Sequence, residues 1–143
     1  MHHEKSCGAL VLRRDATNGK PYILMIRHKN GGHRSFPKGH MEAGETEYAT
    51  ALREVMEETS SQIAIVSDFR ATVNYSPSPG VMKEVVYFLA FTTSPDVRPR
   101  EGEIAEVEWI PLAEAEECLT HENDKTVFRA AMERMRHLSI EIK

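Results

Sequence analysis

Cysteine is scarce: the 143-residue chain has two, Cys7 and Cys118, with no CxxC pair and no spacing that would hold zinc. That excludes zinc-cluster and dithiol redox chemistry, and both thiols read as reduced packing residues. A surplus of positive charge is also missing. The formal net charge of −4 argues against nucleic acid as a partner held by bulk electrostatics, so a polyphosphate ligand would need local positive charge or a metal. No apolar run approaches the ~20 residues that span a bilayer. The first residues, Met1-His2-His3-Glu4-Lys5, have no apolar stretch behind their charges, so no membrane partner is expected and the expected compartment is the cytoplasm. Repeats, low-complexity tracts and interdomain linkers are absent too. With 41% apolar residues over this length, the chain is read as one domain spanning 1–143 around one core.

What is present alternates between two periodicities. Gly8 to Leu12 and Tyr22 to Ile26 are short aliphatic runs separated by the turn-forming Asp15-Ala16-Thr17-Asn18-Gly19, and they predict two antiparallel strands. The glycines and proline between Lys29 and Gly39 predict a loop. From Thr46 to Thr59 there is no Gly or Pro, and Ala49, Leu52, Val55, Met56 and Thr59 recur at helical spacing. Further strands are expected at Ile63 to Val66, Ala71 to Tyr75, Val85 to Phe91 and Ile104 to Ile110, with closing helices at Leu112 to Leu119 and Thr126 to Leu138. Strands on either side of one helix, followed by terminal helices, predict an α/β fold with a central mixed sheet covered on both faces.

The chemistry concentrates on the first helix. Glu54, Glu57 and Glu58 stand at relative positions zero, three and four, which places three carboxylates along one strip about a turn long. Such a strip also fits a solvated acidic face, since each exposed like-charge pair costs only ~0.2–0.5 kcal/mol. The strip lies near the helix C-terminus, however, where the macrodipole disfavours negative charge. A bound cation would reverse that penalty, and magnesium suits carboxylate oxygens shared with substrate phosphates. Arg53 beside the cluster and Glu45 eight residues earlier could form an ion pair that orients this edge, or Arg53 could simply neutralise surface glutamates.

Gly39, five residues, Glu45, seven residues, then Arg53-Glu54-Val55-Met56-Glu57-Glu58 closely resembles the Nudix box, with Ser60 where the pattern has glycine and Ser61 where it has an apolar residue. The resemblance implies a Nudix-like α/β/α sandwich and hydrolysis of a phosphoanhydride bond. It implies magnesium, or manganese, held by Glu54, Glu57, Glu58 and the Lys38 carbonyl, with Arg53 as part of the catalytic edge. The general base varies in position across the family; Glu103, just before a predicted strand, is the candidate outside the box.

Over most of its length the chain further resembles the bis(5′-nucleosyl)-tetraphosphatase branch, which splits diadenosine tetraphosphate into ATP and AMP. The likeness rests on Cys7-Gly8-Ala9-Leu10-Val11, Pro37-Lys38-Gly39-His40, Asn74-Tyr75, and Lys83 before Val85-Val86-Tyr87. It implies a nucleotide or dinucleoside polyphosphate partner, with Tyr75 in a Pro/Gly-rich loop stacking on a base and Lys38, Lys83, His40 and His33 meeting phosphates. The same residues also fit a strand-end tyrosine, an edge-strand lysine and loop-stabilising histidines. Arg34 stands where this branch usually carries tryptophan, implying different contacts there. Nucleoside triphosphate pyrophosphatases and diphosphoinositol polyphosphate hydrolases share the box, and a non-catalytic nucleotide-binding regulator is the alternative outside enzymes.

Overall fold

The computed structural model describes residues 2–138. In chain order they form β1 (His2–Arg14), β2 (Pro21–His28), β3 (Arg34–Ser35), β4 (Lys38–His40), α1 (Glu47–Thr59), β5 (Ala64–Ser78), β6 (Val81–Phe91) and β7 (Ile104–Pro111). A 3-10 turn (Leu112–Glu114), α2 (Ala115–Cys118) and α3 (Glu122–Leu138) complete the described chain. The strands make one mixed sheet. β1 runs parallel to β6, while its pairings with β2 and β4 are antiparallel, as are those of β2 with β3 and β7 and of β5 with β6.

Alternation along the central strands builds two cores. Leu10 and Leu12, Ile23 and Met25, and Val85, Tyr87 and Leu89 turn to one face and pack with Val127, Phe128, Ala131 and Met135 of α3. Cys7, Ala9 and Val11, with Val86, Phe88 and Ala90, turn to the other face, where Ala51 and Val55 of α1 cover them. A period of two on strands buried on both sides explains why those runs are almost wholly apolar.

The feature that makes room for a site is the parting of β1 and β2. They pair only at Leu12–Arg14 with Pro21–Ile23; upstream, Ser6 to Gly8 pair with β4, while Ile26 and Arg27 pair with β3. Phe36, fully buried, and Pro37 fill the fork, and the Pro37 carbonyl accepts from Ala9 N–H at 3.2 Å. Gly8 is obligatory there: a Cβ would lie 2.1 Å from the Pro37 oxygen.

Several sequence expectations shift. The 29–39 segment is not all loop, because two short strands flank Pro37. The two strands expected between Ile63 and Tyr75 are one long strand with a register shift between Val66 and Arg70. The helix expected at 112–119 is a 3-10 turn and a single helical turn, and α3 starts one turn earlier than its apolar pattern. α1 has the expected bounds, capped by Thr46, whose hydroxyl accepts from Ala49 N–H. Its phase differs: Leu52 and Met56 are exposed, while Glu54 and Glu58 are buried. No described helix is long and apolar enough to cross a membrane.

Candidate functional site

Two carboxylates of α1, Glu54 and Glu58, face β4 rather than solvent. Glu54 and Glu58 are 7% and 5% exposed, burial that ionised groups reach only when partnered. Glu54 lies against Gly39, where a Cβ would come within 1.8 Å of its Oε2; glycine is required by that close approach. Lys38 N–H donates to Glu58 Oε1 at 2.9 Å. Glu57, one step round the helix, stays exposed.

Arg53 is the hub of this edge. Its Nε donates to Glu45 Oε2 at 2.6 Å and its Nη2 to Glu45 Oε1 and the His40 carbonyl, both at 2.9 Å. Its Nη1 reaches Glu54 Oε1 at 2.9 Å and Glu57 Oε2 at 3.0 Å. Glu45 also accepts from the Glu42 N–H and the Thr50 hydroxyl. Arg53 first, then that Glu42 N–H, hold its carboxyl down at about 2. The expected Arg53–Glu45 pair is thus formed, and through it the loop of β4 is tied to the acidic strip.

Glu58 behaves in the opposite way. Burial, reinforced by the charges of Glu54 and Glu103, pushes its carboxyl up to about 8 despite the Lys38 N–H. Among the described residues, no three acidic, histidine or cysteine side chains are gathered into a ready-made metal cluster, and Arg53 Nη1 is bonded to both Glu54 and Glu57. The donor chemistry nonetheless fits a hard divalent cation: the donors are oxygens, two of the carboxylates are buried, and one is driven toward protonation for want of a counter-charge.

Beside the strip, in the fork of the sheet, is a cavity of about 400 Å³, within the range of small-molecule sites. His28, His33, Ser35, Lys38, Tyr75, Tyr87, His121 and Asp124 contribute its polar and aromatic walls. His28 and His33 stack at 4.1 Å between ring centroids, and His121 meets His33 edge-on at 5.3 Å. Burial, then the neighbouring His33, takes His28 down to about 4, and burial lowers His33 as well. The rings of His28 and His33 are therefore neutral near pH 7 and offer flat faces rather than positive charge.

The sequence candidates divide accordingly. Lys38, Tyr75 and His33 line the cavity. Tyr75 does so from β5 and not from a loop, in register with Lys83 on β6; burial, then the charge of Lys38, lowers the Lys83 ammonium. His40 is exposed and engages Arg53 only through its carbonyl. Glu103 is exposed on the loop before β7, near enough to Glu58 to act on its charge. Arg34 does not line the cavity: its guanidinium grips Glu108 at 2.9 and 3.4 Å. His28, His121, Tyr87 and Asp124 were not anticipated. His28 sits at a register shift that breaks strand alternation, and His121 and Asp124 come from the turn that begins α3, so no periodicity marked them.

Comparison with known proteins adds four observations. A family model described as "NUDIX domain" matches residues 2–131. The asymmetrical bis(5′-nucleosyl)-tetraphosphatase of Sus scrofa is 33% identical over 134 residues, 87% of this chain and 90% of that protein. An 8-oxo-(d)GTP phosphatase of Mycolicibacterium smegmatis is also 33% identical, over 141 residues and 93% of this chain, which spans only 42% of that longer protein. Among solved structures, a C. elegans Ap4A hydrolase binary complex superposes with a TM-score of 0.82 at 27% identity, covering 94% of this chain and 98% of that one.

Proposed function

The chain belongs to the Nudix family, and we propose that within it the chain cleaves diadenosine tetraphosphate asymmetrically, to ATP and AMP. Pyrophosphohydrolysis of a phosphoanhydride bond in a nucleotide follows from family membership. The finer reading is carried by one juxtaposition: a cavity walled by aromatic and imidazole rings opens beside a buried carboxylate strip. A base seated among those rings would present its phosphate chain to the strip at one fixed distance, so cleavage would fall off-centre.

Glu54, Glu57, Glu58 and the Lys38 carbonyl would hold magnesium, which when bound neutralises phosphate charge and makes water a stronger nucleophile. The chain's own residues supply the rest. Arg53 holds Glu54 and Glu57 in one orientation and, through the His40 carbonyl, keeps the β4 loop against them. Tyr75 and the histidine faces bind the base, worth ~1–3 kcal/mol for a stacked ring. Lys38 would supply positive charge at the cavity wall and Lys83 beside it, across from Tyr75, and Glu103 would accept a proton from attacking water.

Product analysis of diadenosine tetraphosphate with magnesium tests the reading. ATP plus AMP is expected, and Glu57→Gln should lower kcat at least ~100-fold with an unchanged circular dichroism spectrum. Rapid release of pyrophosphate from nucleoside triphosphates, with the dinucleotide left intact, would instead favour a triphosphate pyrophosphatase.

A further inference from the structure

A tetraphosphate chain brings several negative charges to an edge that already holds Glu42, Glu45, Glu54, Glu57 and Glu58. Arg53, the nearest arginine, is committed to Glu45, Glu54, Glu57 and the His40 carbonyl. Lys38 and Lys83 belong to the cavity side. The segment from Arg98 to Glu103 is strung from the end of α1 to the loop after β2. Arg98 N–H donates to the Thr59 carbonyl at 2.9 Å, Arg100 N–H to the Glu58 carbonyl at 3.1 Å, and the Glu103 carbonyl accepts from Lys29 N–H at 3.1 Å. The backbone of Arg100 is therefore pinned to the very residue that carries one of the buried carboxylates.

Its side chain is not pinned. The guanidinium of Arg100 comes no closer than 3.8 Å to Glu103, and the two side chains are 42% and 63% exposed. An exposed pair beyond hydrogen-bond range holds little. A phosphate, by contrast, offers the planar guanidinium two parallel charge-assisted hydrogen bonds. We propose that Arg100 is a substrate-binding residue that leaves Glu103 and grips a phosphate of the polyphosphate chain beside the acidic strip. The inference rests on the polyphosphate substrate proposed above.

The test uses the full-length protein and isothermal titration with magnesium tripolyphosphate, beside steady-state kinetics on diadenosine tetraphosphate. Arg100→Ala keeps the backbone N–H that caps Glu58, so the fold is retained. It should weaken tripolyphosphate at least 10-fold and raise KM by a similar factor with kcat within 2-fold, and Arg100→Lys should recover part of the loss. Arg98→Ala removes the same charge from two residues away and should change neither value by more than 2-fold. Equal losses in both alanine variants would reduce the effect to bulk charge and overturn the assignment, as would tripolyphosphate affinity that ignores Arg100 or is absent in the wild type. Wild type that binds tripolyphosphate through Arg100 but leaves the dinucleotide uncut would uphold this inference and remove the proposed substrate.

Discussion

Ser60 ends α1 in the left-handed region, at φ 62°, with its N–H on the Met56 carbonyl. A Cβ there crowds the following carbonyl, which is why such caps are usually glycine. The departure from the box pattern at this position therefore leaves the helix end unchanged and adds strain to it. Ser61, next along, is 3% exposed with an unpartnered hydroxyl, a buried polar group that costs stability where the box pattern has an apolar side chain. Ser60→Gly should stabilise the protein by about 1 kcal/mol, less whatever glycine gives back in the unfolded chain. Thermal melts would show this as a rise of a few degrees. A fall in Tm would mean that the serine is relaxed where it stands. Activity should hardly move, because the carboxylates lie upstream of the cap.

At the scale of elements, legibility in the sequence followed local rules and failed where function breaks them. α1 was readable because a threonine cap opens it and no breaker interrupts it. Its buried strip was readable only in part: apolar spacing selects Ala49, Leu52, Val55, Met56 and Thr59, of which Val55 and Thr59 are buried, whereas the full strip is Thr50, Ala51, Glu54, Val55, Glu58 and Thr59. Buried carboxylates in a core-facing row invert binary patterning, and such violations gather at functional sites. β3 and β4, of two and three residues, are too short to leave a period, yet they make the fork that holds the cavity. The β3 contact with the turn before α3 is equally invisible in sequence. Arg34 N–H donates to Thr120 Oγ1 at 2.9 Å, and Thr120 N–H returns to the Arg34 carbonyl at 3.3 Å. That exchange sets His121 against His33. Thr120→Val keeps the shape and removes the acceptor, so KM for the nucleotide should rise ~3- to 10-fold with kcat near wild type, because a displaced ring weakens stacking and touches no chemistry. Thr120→Ser should restore wild-type KM; a serine variant as poor as valine would assign the defect to packing.

For the molecule as a whole, the buried groups set a pH dependence whose direction differs between windows. Glu58 titrates at about 8 in the folded protein against an ordinary value of 4.5, its burial being the main cause. The folded state then holds a proton that the unfolded chain has lost, so the stability conferred by protonated Glu58 is full below pH 4.5 and declines as pH rises toward 8. His28 runs the other way: burial lowers it from 6.5 to about 4, so the unfolded chain binds the extra proton between those values and stability rises with pH there. From 4.5 to 6.5 the two oppose each other. Above 6.5 His28 is neutral in both states and no longer opposes Glu58. In the presence of a chelator, urea unfolding should therefore show stability falling between pH 6.5 and 8 by about 1.4 kcal/mol per pH unit at most. Glu58→Gln should flatten that slope. Magnesium, by giving the ionised carboxylate a counter-charge, should flatten it too and raise stability most at the alkaline end. An equally steep decline in chelator-treated Glu58→Gln would place the titrating group elsewhere and remove Glu58 as the source of the molecule's alkaline weakness.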